Sequence, residues 1–381
     1  MQKEYNYSQT EGKEVVMAVY FILMLSAVCI GIPLCGLDGR RNGRAVSVYC
    51  IAAAAVLTAV SALRFSVGYD YNLYAGWYYE LNFVDFGELR GGRQEIGFML
   101  PLKILNNFSE DYIAAFPLIS LMIYPPLAAY IRRCSGSAGV SLAAFLGMGL
   151  FFNSLNFMRQ FIAAVICAYA FDYALKGSKV RFFLTVLFAA CFHRSALFVL
   201  PCLLFLYIGW NRITLIVMSA VSAVSFAFSD KLLSLATNYV YSDYSAESTD
   251  IANGLPVGYA MMYGVLFIAA YLLKDRFSGD KQRTDLILWC CFASFFFELI
   301  GIRHAIVSRL ALLFFIPAVC LGVPEICSAL YGMGEDRKEG YGKRFAAVVP
   351  VLLTVSFTLL LLVNYNGVVP YRTIFERADM I

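Results

Sequence analysis

Charge is what this 381-residue sequence has least of: Asp, Glu, Lys and Arg together make up 15% of it, where soluble globular chains carry about 25%. That shortage excludes a conventional soluble domain. The net charge of +4 is small and provides no basic surface for nucleic acid, so no nucleic-acid partner is expected. Histidine is scarce, with two copies, His193 and His304. Neither has a carboxylate at helical ligand spacing, so no metal site and no cofactor are expected. There is no Walker loop, no GxGxxG turn and no serine elbow, which argues against ATP coupling within the chain. No CxxC pair occurs. Cys29, Cys50, Cys167, Cys191, Cys290, Cys291 and Cys320 lie inside apolar runs and read as small core residues. Internal repeats, low-complexity tracts and heptads are lacking too.

What fills the sequence instead is apolar length. Apolar residues occupy 60% of the positions, concentrated in runs such as Val15–Cys35, Phe182–Tyr207 and Phe345–Val363. Each can cross a hydrocarbon core of about 30 Å, which takes roughly 20 helical residues. Helices satisfy their own backbone hydrogen bonds in lipid, and unbroken apolarity excludes the alternating pattern of a membrane barrel. The fold class expected is an all-α polytopic membrane protein, residues 1–381 forming a single transmembrane domain. By the length rule about twelve spans fall near 15–36, 46–63, 112–131, 138–152, 157–175, 180–192, 195–209, 211–229, 258–273, 285–301, 308–325 and 345–363. Gly147, Gly149 and Pro201 interrupt the stretch 138–209, where short segments can be tilted or re-entrant. The first run has no basic n-region and no A-x-A site, so it reads as a retained helix rather than a cleaved signal.

Orientation follows from the basic residues. Arg40, Arg41 and Arg44 follow the first span; Arg132 and Arg133 follow the third; Lys176, Lys179 and Arg181 follow the fifth. Lys274, Arg276, Lys281 and Arg283 follow the ninth, and Arg337, Lys338, Lys343 and Arg344 precede the last. With this numbering all five clusters fall on one face, expected to be cytoplasmic, and both termini lie outside.

The opposite face carries acids and aromatic rings. Its loop 64–111 holds Asp70, Glu80, Asp85, Glu88, Glu95, Glu110 and Asp111, with Tyr69, Tyr71, Tyr74, Trp77, Tyr78 and Tyr79. A second outer loop, 230–257, carries Tyr239, Tyr241 and Tyr244. Both loops read as substrate-facing elements. The same face collects Arg64, Arg159 followed by Gln160, His193-Arg194, Arg303-His304 and Arg309. An ionisable group at membrane depth costs about 2.5–3.5 kcal/mol on insertion scales unless it is paired or faces water, so this collection suggests a polar cavity opening outward. Guanidinium groups hold phosphate through a charged planar fork. Histidine suits proton transfer near neutral pH. Tyr and Trp offer flat faces for sugars. Each residue also has a plainer reading: arginines at span ends snorkel to headgroups, the histidines cap helices, the tyrosines form an interfacial belt, and the acids are solvated.

The segment Arg64-Phe-Ser-Val-Gly68-Tyr-Asp70-Tyr71-Asn-Leu-Tyr74, followed by Glu95-Ile-Gly97-Phe98, resembles the EpsG family of bacterial exopolysaccharide membrane proteins, related to Wzy-type polysaccharide polymerases. Phe157-Met-Arg159-Gln160-Phe161, the segment Ala189-Ala190-Cys191-Phe192-His193-Arg194-Ser195-Ala196-Leu197 and the surroundings of Arg309 are similar to the same family. Arg194 departs from the neutral residue more usual after the histidine. The resemblance covers nearly the whole chain and implies a Wzy/EpsG-like, GT-C-related bundle. It implies a polymerase in the bacterial plasma membrane that joins undecaprenyl-pyrophosphate-linked repeat units at the outer face, making exopolysaccharide, capsule or O-antigen.

Under that resemblance the partners are a lipid-linked oligosaccharide donor and acceptor, the bilayer, a flippase and a chain-length regulator. Arg159 and Arg309 would bind the donor pyrophosphate and stabilise its developing charge. His193 would be the base, with Asp70 or Glu95 as competitors. Arg64, Asp70, Tyr71, Tyr74, Glu95, Gln160, Arg194, Arg303 and His304 would contact substrate or order the outer loop, and Gly68 would allow a sharp turn there. The alternatives are a transporter or flippase of lipid-linked sugars, a membrane acyltransferase, or a non-catalytic subunit of a synthesis complex.

Overall fold

A computed structural model describes residues 17–37, 43–91, 94–239, 257–333 and 341–379. Regular structure within them is helical, apart from one isolated bridge between Arg64 and Thr373. Seven helices are long and apolar enough to cross a membrane: α1 (Met17–Cys35), α2 (Arg44–Ala62), α5 (Tyr112–Cys134), α8 (Met158–Leu175), α12 (Val257–Arg276), α13 (Lys281–Gly301) and α14 (Ala305–Gly332). Two short helices, α3 (Tyr71–Glu80) and α4 (Ile96–Asn106), lie between α2 and α5. Between α5 and α8, the pair α6 (Ala138–Gly147) and α7 (Leu150–Asn156) is bent by 61° and together makes an eighth candidate span.

Length and apolarity alone qualify seven spans, or eight with the bent pair, against the twelve expected from hydropathy. The remaining apolar segments are shorter: α9 (Lys179–Ala190), a 3-10 stretch Arg194–Tyr207, α10 (Arg212–Ala227) and the apolar part of α15 (Tyr341–Leu362). Twelve residues of α-helix reach about 18 Å at 1.5 Å per residue, well short of a hydrocarbon core. The bend in the α6–α7 pair falls at Gly147 to Gly149, two of the three interruptions visible in the sequence, and Pro201 lies inside the 3-10 stretch.

Side-chain contacts sort the loops into two ends. At one end Arg132 Nε donates to Ser47 Oγ (2.9 Å), tying the end of α5 to the start of α2. Asp172 pairs with Arg133 and with Lys176, the latter at 2.8 Å. Arg283 donates to the Cys134 carbonyl (2.7 Å) and approaches Glu325 (3.4 Å), and Ser137 Oγ donates to the Gly36 carbonyl (2.5 Å). This is the basic end. Arg40, Arg41, Arg337 and Lys338 lie outside the described residues.

The opposite end is closed by residues 364–377. Phe65 N donates to the Arg372 carbonyl (2.8 Å), Gly68 N to the Gly367 carbonyl (3.0 Å), and Arg377 pairs with Asp111 (2.7 Å). Gly68 sits at φ +96°, the left-handed turn expected of it. Between the ends the core includes an aromatic group in which Phe151 meets Tyr20, Tyr124 and Phe152, and Tyr20 also meets Phe152. Cys50, Cys167, Cys290, Cys291 and Cys320 are buried in the core, whereas Cys29 and Cys191 are exposed.

Candidate functional site

Glu95 organises the acidic, aromatic end. Its extended backbone (φ −69°, ψ 138°) caps α4, where a carboxylate meets the positive end of the helix dipole. One residue into α4, Gly97 N donates to the Cys191 carbonyl at 2.8 Å. A Cβ on Gly97 would lie 2.5 Å from that same oxygen, so only glycine lets the first turn of α4 press on the end of α9. The contact carries Glu95 to His193 and Arg194.

Three groups converge on the carboxylate. Arg159 Nη1, at the start of α8, donates to Oε2 at 2.5 Å, and the Arg194 amide donates to Oε1 at 3.2 Å. His193 Nδ1 stands 3.3 Å from Oε1, though out of hydrogen-bonding alignment. The Glu95 and Arg159 side chains are 10% and 19% exposed, that of His193 26%, so the cluster is sheltered but open to a ligand. Burial raises the Glu95 pKa, but His193, Arg159 and the Arg194 amide outweigh it and hold the carboxyl down at about 2. Glu95 is thus a carboxylate throughout the physiological range.

Aromatic rings complete the Arg159 setting. Its Cζ lies 4.5 Å above the Trp77 ring, within cation–π range. Its amide donates to Tyr74 Oη at 3.5 Å. Gln160, one residue on, donates through Nε2 to the Arg309 carbonyl and to Ser195 Oγ (3.4 Å), while the Arg309 Cζ lies 5.4 Å from the Phe157 ring. Arg159, His193 and the Arg194 amide therefore meet at one carboxylate, while Gln160 ties the first turn of α8 to the Arg309 backbone.

The other expected site residues, Tyr74 apart, lie elsewhere. Arg64 is 0% exposed; its guanidinium donates to the Leu155 carbonyl (2.8 Å) and Ser61 Oγ (3.3 Å) and lies 5.3 Å from the Phe116 ring. It is a strut between the end of α2 and the α7–α8 elbow. The Asp70 amide donates to Asn156 Oδ1 (3.2 Å) on that same elbow. Tyr71 and Tyr74 turn inward, Tyr71 stacking on Phe116 at 4.2 Å and Tyr74 meeting Trp77 and Phe98 edge-on. Arg303 and His304 form a second cluster on Asp230, at 2.6 and 3.0 Å, with Ser229 Oγ 3.2 Å from His304 Nε2. Of the second outer loop, residues 240–256, with Tyr241 and Tyr244, lie outside the described residues.

Sequence reasoning did not single out the pairing of Trp77 with Arg159, the Asn153–Asn156 elbow or Asp230. The inward tyrosines did have a signal: 71, 74 and 78 share one helical face by their i, i+3, i+7 spacing. Asn153 Oδ1 accepts from Tyr365 Oη and Asn366 Nδ2, both at 2.8 Å, pairings over 200 residues apart that no local pattern encodes.

Comparison with known proteins gives one match: the model of the EpsG family covers residues 47–373, from α2 to the segment beyond α15, and the chain belongs to that family. No curated protein and no solved structure matches.

Proposed function

We propose that this EpsG-family member is a polysaccharide polymerase of the bacterial plasma membrane, joining repeat units carried on undecaprenyl pyrophosphate at its extracytoplasmic face. One observation carries the reading: Glu95 gathers Arg159, His193 and the Arg194 amide into one sheltered cluster at the end remote from the basic loops, and Gln160, next to Arg159, holds the Arg309 backbone. The positive-inside rule assigns that remote end to the outside.

The chemistry asks for two things at once. The acceptor sugar's hydroxyl must lose its proton as its oxygen attacks the donor's anomeric carbon, and the bond from that carbon to the pyrophosphate must break, its electron pair leaving with the lipid pyrophosphate. His193 is the group placed to take the proton. With Nδ1 turned to Glu95, its Nε2 is the nitrogen left to accept. Glu95, held near pKa 2, is too weak a base for a sugar hydroxyl, so its role is to orient the histidine and the arginine. Arg159 and Arg309 face the leaving group. The Glu95 contact uses one of five guanidinium N–H groups on Arg159, and the Trp77 face holds the plane in place. A preorganised cation in a sheltered site stabilises charge that develops only in the transition state.

The deciding experiment supplies purified protein in detergent with a lipid-linked repeat unit. Glycans longer than one unit, released with lipid pyrophosphate, support the polymerase. No lengthening in detergent, together with movement of the same lipid across proteoliposome membranes, would replace it with the flippase.

A further inference from the structure

Eleven residues downstream of Glu95, at the far end of α4, the surface changes character. A groove of about 620 Å³ opens there, lined by Tyr79, Asn82, Phe83, Lys103, Asn106, Asn107, Phe108, Ser109 and Glu110, a volume in the range of ligand sites. Its lining is predominantly polar, yet three of its rings stand out into solvent: Phe108 is 85% exposed, Phe83 73% and Tyr79 57%. Large rings left in the open beside polar groups are the kind of exposure that marks a recognition surface.

The floor is built rather than accidental. Lys103 is buried, its Nζ donating to the Leu81 carbonyl at 2.8 Å, and Asn106 Nδ2 donates to Asn82 Oδ1 at 2.7 Å. Together they tie the end of α4 to the turn after α3. Tyr78 Oη donates to the Ser109 carbonyl at 2.6 Å and fixes the third wall. Tyr79 and Phe83 meet edge to face at 5.5 Å, holding each other's rings upright. Amides, a hydroxyl and flat apolar faces side by side are what an oligosaccharide offers partners for: alternating hydroxyls and C–H faces. Acid and base in the lining are balanced between Glu110 and Lys103, which suits a ligand without strong net charge.

We propose that this groove is an oligosaccharide subsite, holding sugars of a repeat unit while its end reacts at the Glu95 cluster. The ligand's identity rests on the polymerase reading; the groove itself rests on its own geometry. The 11-residue helix α4 joins the two places, and at 1.5 Å per residue it separates them by about 16 Å, a few sugar rings. The same helix thus carries the orienting carboxylate at one end and the sugar platform at the other. Chain lengthening would then sense glycan structure several sugars from the bond being made.

The test uses oligosaccharides cut from the producing cell's own extracellular polysaccharide, free of lipid and phosphate, and saturation-transfer NMR on the full chain in nanodiscs. Binding to the wild type that weakens at least tenfold in both Phe108→Ala and Asn107→Ala is the expected result. For lipid-linked substrate, KM should rise by a similar factor with kcat within about twofold. Both side chains are exposed, and elution as a monodisperse peak in detergent checks that the variants are folded. Wild-type binding retained in both variants, or no binding to the wild type, overturns the subsite. Binding lost in the variants while the wild type lengthens nothing leaves the subsite standing and removes the polymerase reading.

Discussion

Replacing Glu95 with Gln keeps the size of the side chain and one acceptor for the Arg194 amide, and removes only the charge. In the structure that charge holds Arg159 Nη1 at 2.5 Å and faces His193 Nδ1 at 3.3 Å. A hydrogen bond to a charged group contributes about 1.5–3 kcal/mol, and each 1.36 kcal/mol is a factor of ten in rate. Losing the Arg159 contact alone should therefore lower kcat about 10- to 150-fold, provided Arg159 must be held for the leaving group. Glu95→Ala should do worse, because it strands a partly buried guanidinium, a defect that costs about 3–5 kcal/mol when a buried pair is broken. The assay is single-turnover lengthening of a lipid-linked repeat unit by purified protein, with a double-mutant cycle against Arg159→Lys. Coupling of about 1 kcal/mol or more between the two positions is expected of residues in direct contact. Additive effects, or a Glu95→Gln enzyme within twofold of wild type, would refute the idea that this carboxylate organises the site.

Gly97→Ala puts a Cβ 2.5 Å from the Cys191 carbonyl, so it should swing Glu95 away and lower kcat at least tenfold with little loss of membrane-inserted protein, read by activity against expression. Arg64→Ala leaves the Leu155 carbonyl and Ser61 without their buried partner and should cost about 3 kcal/mol, seen as a lower midpoint of thermal unfolding in detergent rather than as a KM effect. Cys191 is exposed beside the site whereas Cys134 is buried at the basic end; in single-cysteine variants of intact cells, an impermeant maleimide should label Cys191 from outside, and labelling only after the membrane is broken would invert the topology. Glu95 has a folded pKa of about 2 against an ordinary 4.5, so its contribution is complete above pH 4.5 and lost as pH falls toward 2. The pH–rate profile should accordingly show no limb from Glu95 above pH 4.5.

The class of the fold was legible because lipid imposes one rule on every segment: apolar length. The helices Arg44–Ala62, Tyr112–Cys134, Val257–Arg276 and Lys281–Gly301 lie close to the runs that hydropathy picks out. The number of crossings was less legible, since a helix such as α9, with 12 residues, falls below the length of about 20 that identifies a span. For the site, residue type carried part of the message. Arg159, His193 and Arg309 were picked because charge is costly in an apolar context; Arg159 and His193 share the Glu95 carboxylate, and Arg309 is joined to Gln160 through its backbone. Arg64 met the same criterion, yet its cost is offset by a buried carbonyl and a ring. Composition detects the cost of a buried charge and says nothing of which partner offsets it. Glu95 was expected as a substrate contact or competing base; what sets it as the centre of the cluster is the close approach at Gly97, a tertiary contact nearly a hundred residues away in sequence.

A carboxylate cannot serve at once as the clamp for an arginine and as the base for a sugar hydroxyl. The contacts that make it a good clamp lower its proton affinity, and a base needs that affinity near the working pH. At Glu95 the conflict is resolved in favour of the clamp on Arg159. Under the proposed reading the proton-accepting task then passes to His193 beside the same carboxylate, and Arg159 meets the departing pyrophosphate, so displacing α4 disturbs both tasks together.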